Sequence, residues 1–297
     1  MASPDRIKGS ITALITPFRN GGLDEGAYCR FIDWQIAEGT NGLVPCGTTG
    51  ENPTLSNEEH MRLIELCVET ARGRVPVIAG AGSNDTRQAI LLSHHSKKVG
   101  ADAVLSVVPY YNKPTQEGLY RHFAKIAESV DIPIVIYNVP SRTVAEISVE
   151  TLARLSKIAN IIAIKDATGN MARASRERAA LPAKFIRLSG EDATTLGFMA
   201  HGGHGCISVT SNVAPRLCAE FQKACMAGNF AEALKLQDRL MPLHDAMFVE
   251  TSPAPVKFGA SLLGHCSEDV RLPLAPASDM ARKVVREALH HAGLYNG

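Results

Sequence analysis

Short unbroken apolar runs alternate with stretches whose apolar positions recur every third or fourth residue, and this alternation fills most of the chain. The short runs predict strands at 11–16 (closed by Pro17), 42–45, 75–80, 103–108, 132–137, 161–164, 185–189 and 205–209. The periodic stretches between them predict helices at 24–38, 57–71, 85–98, 115–129 and 148–155. Strands separated by helices at a repeat of about 25 to 30 residues are the pattern of an α/β fold, the (β/α)₈ TIM barrel. The competing arrangement is an open doubly wound sheet. It lacks its glycine fingerprint here, since Gly80-Ala81-Gly82 is only a fragment of one. After the last strand the pattern turns purely helical, at 215–226, 230–240, 254–263 and 278–291. The expected organisation is a barrel carrying the active site over 1–228 and a C-terminal helical region over 229–297. No low-complexity linker separates them, so the extension is expected to pack on the barrel or on another subunit.

Composition narrows this picture. The 297 residues suit one barrel of the usual size, about 250 residues, plus an extension. Lys and Arg number 31 against 30 Asp and Glu, a formal charge of +1, which gives no pull toward nucleic acid or a membrane surface. Seven scattered cysteines without a Cys-x-x-Cys pair read as reduced thiols. Residues 1–6 lead into no apolar run of signal-peptide length, and no stretch approaches the roughly 18 apolar residues of a membrane span. A cytoplasmic protein is expected.

One strand carries chemistry. Ile161-Ile162-Ala163-Ile164 runs straight into Lys165, an unbroken apolar run of the kind buried on both faces of a parallel sheet. In this fold functional groups stand at the C-terminal strand ends. Burial beside apolar walls disfavours the ammonium form, and the neutral amine attacks a carbonyl to form a Schiff base. The bland alternative is a lysine snorkelling out of a strand end. The other strand ends supply its candidate partners. The second strand is followed by Gly47-Thr48-Thr49-Gly50-Glu51, whose N–H groups and hydroxyls suit a carboxylate. The fourth is followed by Tyr110 and Tyr111 in a proline-bounded loop, either surface packing or a phenol relay and interface plug. The fifth ends in Tyr137, a phenol able to carry protons, with Arg142 close behind as a fork for a second carboxylate. Ser189-Gly190-Glu191-Asp192 reads as a turn and helix cap, and the glycines of 202–205 as close backbone packing. His201 and His204 lack an acidic or thiol companion, so no metal is expected there.

With these residues in view, the chain resembles the dihydrodipicolinate synthases over nearly its whole length. The matching motifs, in order, are Gly-Thr-Thr-Gly-Glu at 47–51, Pro-Tyr-Tyr-Asn-Lys-Pro-Thr at 109–115, Tyr-Asn-Val-Pro-Ser-Arg-Thr at 137–143, Ile-Lys-Asp-Ala-Thr-Gly-Asn at 164–170 and Gly-Gly-His-Gly-Cys-Ile-Ser-Val-Thr-Ser-Asn at 202–212. The first motif and the lysine strand belong to the wider pyruvate-lyase superfamily, which includes N-acetylneuraminate lyase and 2-keto-3-deoxy sugar acid aldolases. Arg142 in its Pro-Ser-Arg-Thr setting, with Tyr-Tyr-Asn, points to the synthases. A non-catalytic sensing barrel would be expected to have lost a relay residue, and none is missing.

The resemblance implies that Lys165 forms an imine with pyruvate, whose enamine attacks L-aspartate 4-semialdehyde, as the first committed step of diaminopimelate and lysine biosynthesis. It implies a proton relay of Thr48, Tyr111 and Tyr137, with Tyr111 reaching into a neighbouring subunit's site. Thr49 would hold the pyruvate carboxylate and Arg142 that of the semialdehyde, while Gly190 and the Ile207 carbonyl match pocket-lining positions. It further implies no metal or organic cofactor and a homotetramer built as a dimer of dimers. Asn84, His60 and Tyr110 match an allosteric lysine cleft. There Gln88 stands at a position that is usually glutamate, Asn57 at one that is often histidine, and Asn52-Pro53 replace small residues.

Overall fold

The structure, a computed structural model, describes residues 6–296; most of the 1–6 segment read above for a signal peptide therefore lies outside the described residues. The barrel strands are β1 (Gly9–Ala13), β2 (Gly42–Val44), β3 (Ile78–Gly80), β4 (Ala103–Val107), β5 (Ile134–Asn138), β6 (Ile161–Asp166), β7 (Ile186–Ser189) and β8 (Gly205–Ser208). All neighbours pair in parallel, in the order β2-β1-β8-β7-β6-β5-β4-β3. A single parallel bridge between Leu43 and Val77 joins β2 to the chain entering β3 and closes the ring. The fold is the TIM barrel expected, followed by C-terminal helices.

The helices are α1 (Glu25–Ala37), α2 (Asn57–Ala71), α3 (Thr86–Lys98), α4 (Gln116–Ser129), α5 (Val149–Leu155), α6 (Met171–Ala180), α7 (Thr195–Ala200), α8 (Pro215–Met226), α9 (Phe230–Ala246), α10 (Ala254–Leu262) and α11 (Asp279–His291). Polar caps start many of them: Ser56 and Glu59 form a reciprocal capping box at α2, and Asp24, Asp85, Thr115, Ser148, Asn170 and Ser278 each accept a first-turn N–H.

Three helices differ from the sequence reading. It delimits neither α6, whose buried face is Arg173, Ala174 and Glu177 rather than an apolar stripe, nor α7, whose six residues are too few to show a helical period. The helix expected at 230–240 runs on to Ala246 through Pro242. An interior proline costs about 3 kcal/mol. Leu243 and Met247, beyond it, are fully buried. Each contributes about 1.5–3 kcal/mol, enough to offset that cost.

Side chains alternate across each strand. Ile11 and Ala13 of β1, Leu105 of β4, Val135 and Tyr137 of β5 and Ala163 of β6 fill the barrel, whereas Ile134, Ile136 and Ile164 join the larger core under the helices. Lys165 follows Ala163 by two residues and so shares its inward face. At the bottom, Gly9 faces Gly205 in register, and a Cβ on Gly205 would meet the Gly9 carbonyl oxygen at 2.3 Å, which is the close backbone packing expected. After β8 the chain packs α9 along α8, and α11 against α9 and α10. Trp34 of α1 stacks on His265 at 3.8 Å, tying this region to the barrel. Among the described residues no helix is long and apolar enough to cross a membrane.

Candidate active site

Parallel pairing places Tyr137 of β5 directly beside Lys165 of β6, and the lysine Nζ lies 4.0 Å from the centre of the phenol ring. Lys165 is 5% exposed. Among the described residues its Nζ has no carboxylate within ion-pair range. Gly190, just past β7, makes room for it: a Cβ there would lie 2.9 Å from Lys165 Cε and 2.8 Å from Ala167 Cβ. Only a residue without a side chain lets the lysine stem lie along the β7 edge.

The lysine opens into a cavity of about 360 Å³ whose walls include Thr48, Thr49, Tyr137, Arg142, Gly190 and Glu191. Six of the residues singled out from the sequence, Lys165 included, therefore converge. Thr48–Gly50 form one 3₁₀ turn, closed by Gly50 N–H donating to the Gly47 carbonyl at 3.1 Å. Gly50 is favoured by closeness, since a Cβ would stand 3.1 Å from the Leu14 carbonyl oxygen, tighter than an ordinary contact. Arg142 sits on the helical turn Pro140–Thr143 at the mouth, exposed, and among the described residues its guanidinium has no ion-pair partner. A second cavity of about 210 Å³ shares Thr48, Tyr137 and Arg142 and runs on to Tyr110, Asn52 and Pro53.

Other residues stand apart. Tyr111 is 88% exposed and does not line the lysine cavity; its φ of +72° is a left-handed conformation that a bulky residue rarely holds. Ile207 is buried in the barrel filling, paired with Ile11, below the cavity wall that Val209 reaches. At the proposed lysine cleft, Asn84 Nδ2 donates to the Tyr110 carbonyl at 3.3 Å and Gln88 Nε2 donates to Asn57 Oδ1 at 2.7 Å. His60 is buried, its Nε2 lies 2.7 Å from the Gly80 carbonyl, and burial pushes its pKa down.

The reading of 189–192 as a turn and helix cap is corrected in one respect. Asp192 caps no helix: its carboxylate accepts from Val209 N at 2.8 Å and Thr210 N at 3.2 Å, joining the β7 loop to the end of β8. The sequence reading also missed several contributors. Glu191 lines the cavity with its carboxyl pKa raised, by burial first and by the Asp192 charge second, with Lys165 opposing. Phe248, Glu250, Thr251 and Ser252, from the chain between α9 and α10, form the outer wall. No local signal marks them, because they reach the site only through tertiary packing.

Behind the lysine lies a buried ionic group. Arg173 donates to Asp166 Oδ2 at 2.7 Å, to Glu146 Oε1 at 2.9 Å and to the Ile147 carbonyl at 2.9 Å. Its Nε also lies 2.9 Å from Glu177 Oε1, a contact without hydrogen-bond geometry. Burial, reinforced by the Asp166 charge, pushes the Glu177 carboxyl up to about 7. One guanidinium faces three carboxylates there, and Glu177, the most deeply buried of them, is the one whose charged form burial disfavours.

The profile of the Dihydrodipicolinate synthetase family matches residues 6–292. The 4-hydroxy-tetrahydrodipicolinate synthase of Bradyrhizobium diazoefficiens is 59% identical over 296 residues, covering 100% of both chains. The dihydrodipicolinate synthase of Aquifex aeolicus superposes with a TM-score of 0.96 at 48% identity, covering 97% of this chain and 99% of that one. The chloride-inhibited dihydrodipicolinate synthase of Acinetobacter baumannii, solved in complex with pyruvate, gives a TM-score of 0.96 at 44% identity, covering 97% of this chain and 100% of that one.

Proposed function

Since the chain belongs to the dihydrodipicolinate synthetase family, we propose that Lys165 is its Schiff-base lysine and that the cavity in front of it receives pyruvate. The chain is a lyase of this family, and it condenses pyruvate with L-aspartate 4-semialdehyde to 4-hydroxy-tetrahydrodipicolinate. The observation that carries the site assignment is the buried amine against Tyr137, in one cavity with the threonine turn and the unpartnered Arg142.

The Lys165 amine attacks C2 of pyruvate and water leaves, giving the imine. Loss of a methyl proton turns the imine into an enamine. The enamine carbon attacks the aldehyde of the semialdehyde. The substrate amine then adds to the imine carbon, closes the ring and expels the lysine. The imine itself is the electron sink, so this chemistry calls for neither a metal nor an organic cofactor. Thr48, Tyr137 and Tyr111 move the protons; Thr49 and the turn's N–H groups hold the pyruvate carboxylate. Gly190 gives the lysine its path, and Ile207 supports the cavity floor through its carbonyl.

Arg142, unpartnered at the mouth, takes the carboxylate of the semialdehyde. Arg142→Ala is expected to raise the KM for semialdehyde by about tenfold to a hundredfold, the equivalent of a charge-assisted bond of about 1.5–3 kcal/mol. The pyruvate KM should move far less. Steady-state kinetics with each substrate varied checks this, and equal effects on both would remove Arg142 from the role.

We further propose a dimer of dimers, in which the exposed Tyr111 crosses to the neighbouring subunit. Its exposure and left-handed backbone support this, since such a conformation persists where surroundings hold it. Free lysine is proposed to bind weakly in a cleft formed by Asn84, His60, Tyr110 and Gln88. A neutral Gln88 already donating to Asn57 offers an ammonium group only a carbonyl oxygen. Gln88→Glu is expected to lower the half-inhibitory lysine concentration about tenfold, the difference between a neutral and a charge-assisted bond. An inhibition curve unmoved by the substitution would show that Gln88 does not set the sensitivity.

A further inference from the structure

The threonine turn ends on Glu51, whose backbone is left-handed at φ +56° and ψ +34°. A residue with a Cβ is unfavourable there, and it persists where neighbouring groups over-determine it. Those groups come from the far end of the chain. Lys257 of α10 donates to Glu51 Oε1 at 2.7 Å across 206 residues, and both side chains are fully buried. The Arg271 backbone N–H donates to Glu51 Oε2 at 3.0 Å, so each carboxylate oxygen has one donor. The Arg271 side chain grips the same segment, donating to the Thr54 carbonyl at 3.0 Å and pairing with Glu59. Phe18 lies beneath both cations, 4.2 Å from Lys257 Nζ and 4.3 Å from Arg271 Cζ.

We infer that Lys257 and Glu51 form a positioning pair that holds the Thr48–Thr49 hydroxyls at the lysine cavity from the C-terminal region. The Glu51 N–H donates to the Thr48 carbonyl at 3.1 Å, so the pair acts directly on the turn. A buried ion pair is a weak means of stabilising a core, because an apolar pair of the same volume often serves as well. What the ion pair supplies is direction: the carboxylate is fixed at both oxygens, and the backbone torsion of Glu51 is fixed with it. The inference rests on the reading that this turn receives pyruvate.

The test separates positioning from stability. Lys257→Met alone leaves a buried, uncompensated carboxylate and is expected to lower the thermal midpoint. The double variant Glu51→Gln with Lys257→Met removes both charges and is expected to recover most of that loss. It should still show a pyruvate KM raised about tenfold or more, with the semialdehyde KM changed by less than about threefold, since displacing a binding group by about 1 Å costs up to a hundredfold. Amide exchange over 48–54, measured without substrate, should also quicken about tenfold or more in the double variant. A folded double variant with wild-type pyruvate KM and wild-type exchange overturns the inference. If the double variant does not fold, Glu51→Gln alone serves, and unchanged pyruvate KM and exchange in it are equally decisive. Failure of the pyruvate reading shows itself separately, as absence of borohydride trapping in the wild type.

Discussion

Borohydride added to the protein with pyruvate is expected to label Lys165 and no other lysine, and Lys165→Arg is expected to abolish both labelling and turnover, the latter by about 10⁴-fold or more. Borohydride reduces the imine to a secondary amine that survives digestion, so peptide mass mapping reads the position directly. Arginine keeps the charge and much of the length, but its guanidinium stays protonated and forms no imine. The loss therefore reports nucleophilicity rather than charge. The molecule has its own control. Among the described residues Lys257 is the other deeply buried lysine, and its amine is held in an ion pair with Glu51. Label on Lys257, or on any surface lysine in place of Lys165, would dismiss the assignment.

Mixing two impaired variants is expected to restore activity. Tyr111→Phe keeps the lysine and loses the phenol proton, and Lys165→Ala does the reverse. If Tyr111 serves the neighbouring subunit, a mixed dimer holds one complete site and one doubly defective site. Random exchange at equal concentrations makes about half of the dimers mixed, so about one quarter of the sites should work. Tyr111→Phe should also keep a near wild-type thermal midpoint, because it removes only the hydroxyl and leaves the ring in place. No recovery, with subunit exchange demonstrated by mass, would place the relay within one chain.

How much of this was legible depends on the distance over which each residue acts. Lys165 was legible because four apolar residues run into it, and a strand of that kind delivers its last side chain to the barrel mouth. Tyr137 and Arg142 followed from the same rule one strand earlier. The helix α6 was not delimited because Arg173 and Glu177 serve each other and Asp166 instead of an apolar core, so the periodicity that announces a helix is missing. Asp192 looked like a cap because an acidic residue before a helix usually is one, yet β8 lies near enough to claim it. Glu51 was visible inside its motif, but its partner is 206 residues away, and no periodicity or local spacing encodes such a pair.

The seam of the barrel has a mechanical consequence. β5 and β6 are laddered from Ile134 and Ile161 to Asn138 and Asp166, whereas β2 meets the chain entering β3 through one bridge at Leu43 and Val77, with backbone hydrogen bonds from Leu43 N–H to the Pro76 carbonyl and from Gly80 N–H to the Pro45 carbonyl. Resistance to opening follows the density of such pairing, so the ring is stiff on one arc and compliant on the other. The nucleophile and its tyrosine stand together on the stiff arc, and their spacing is insulated from breathing of the mouth. The threonine turn springs from the compliant arc, directly after β2. Lys257 and Arg271 bear on that turn from outside, as a brace on a side of the hoop where its own strands pair only briefly.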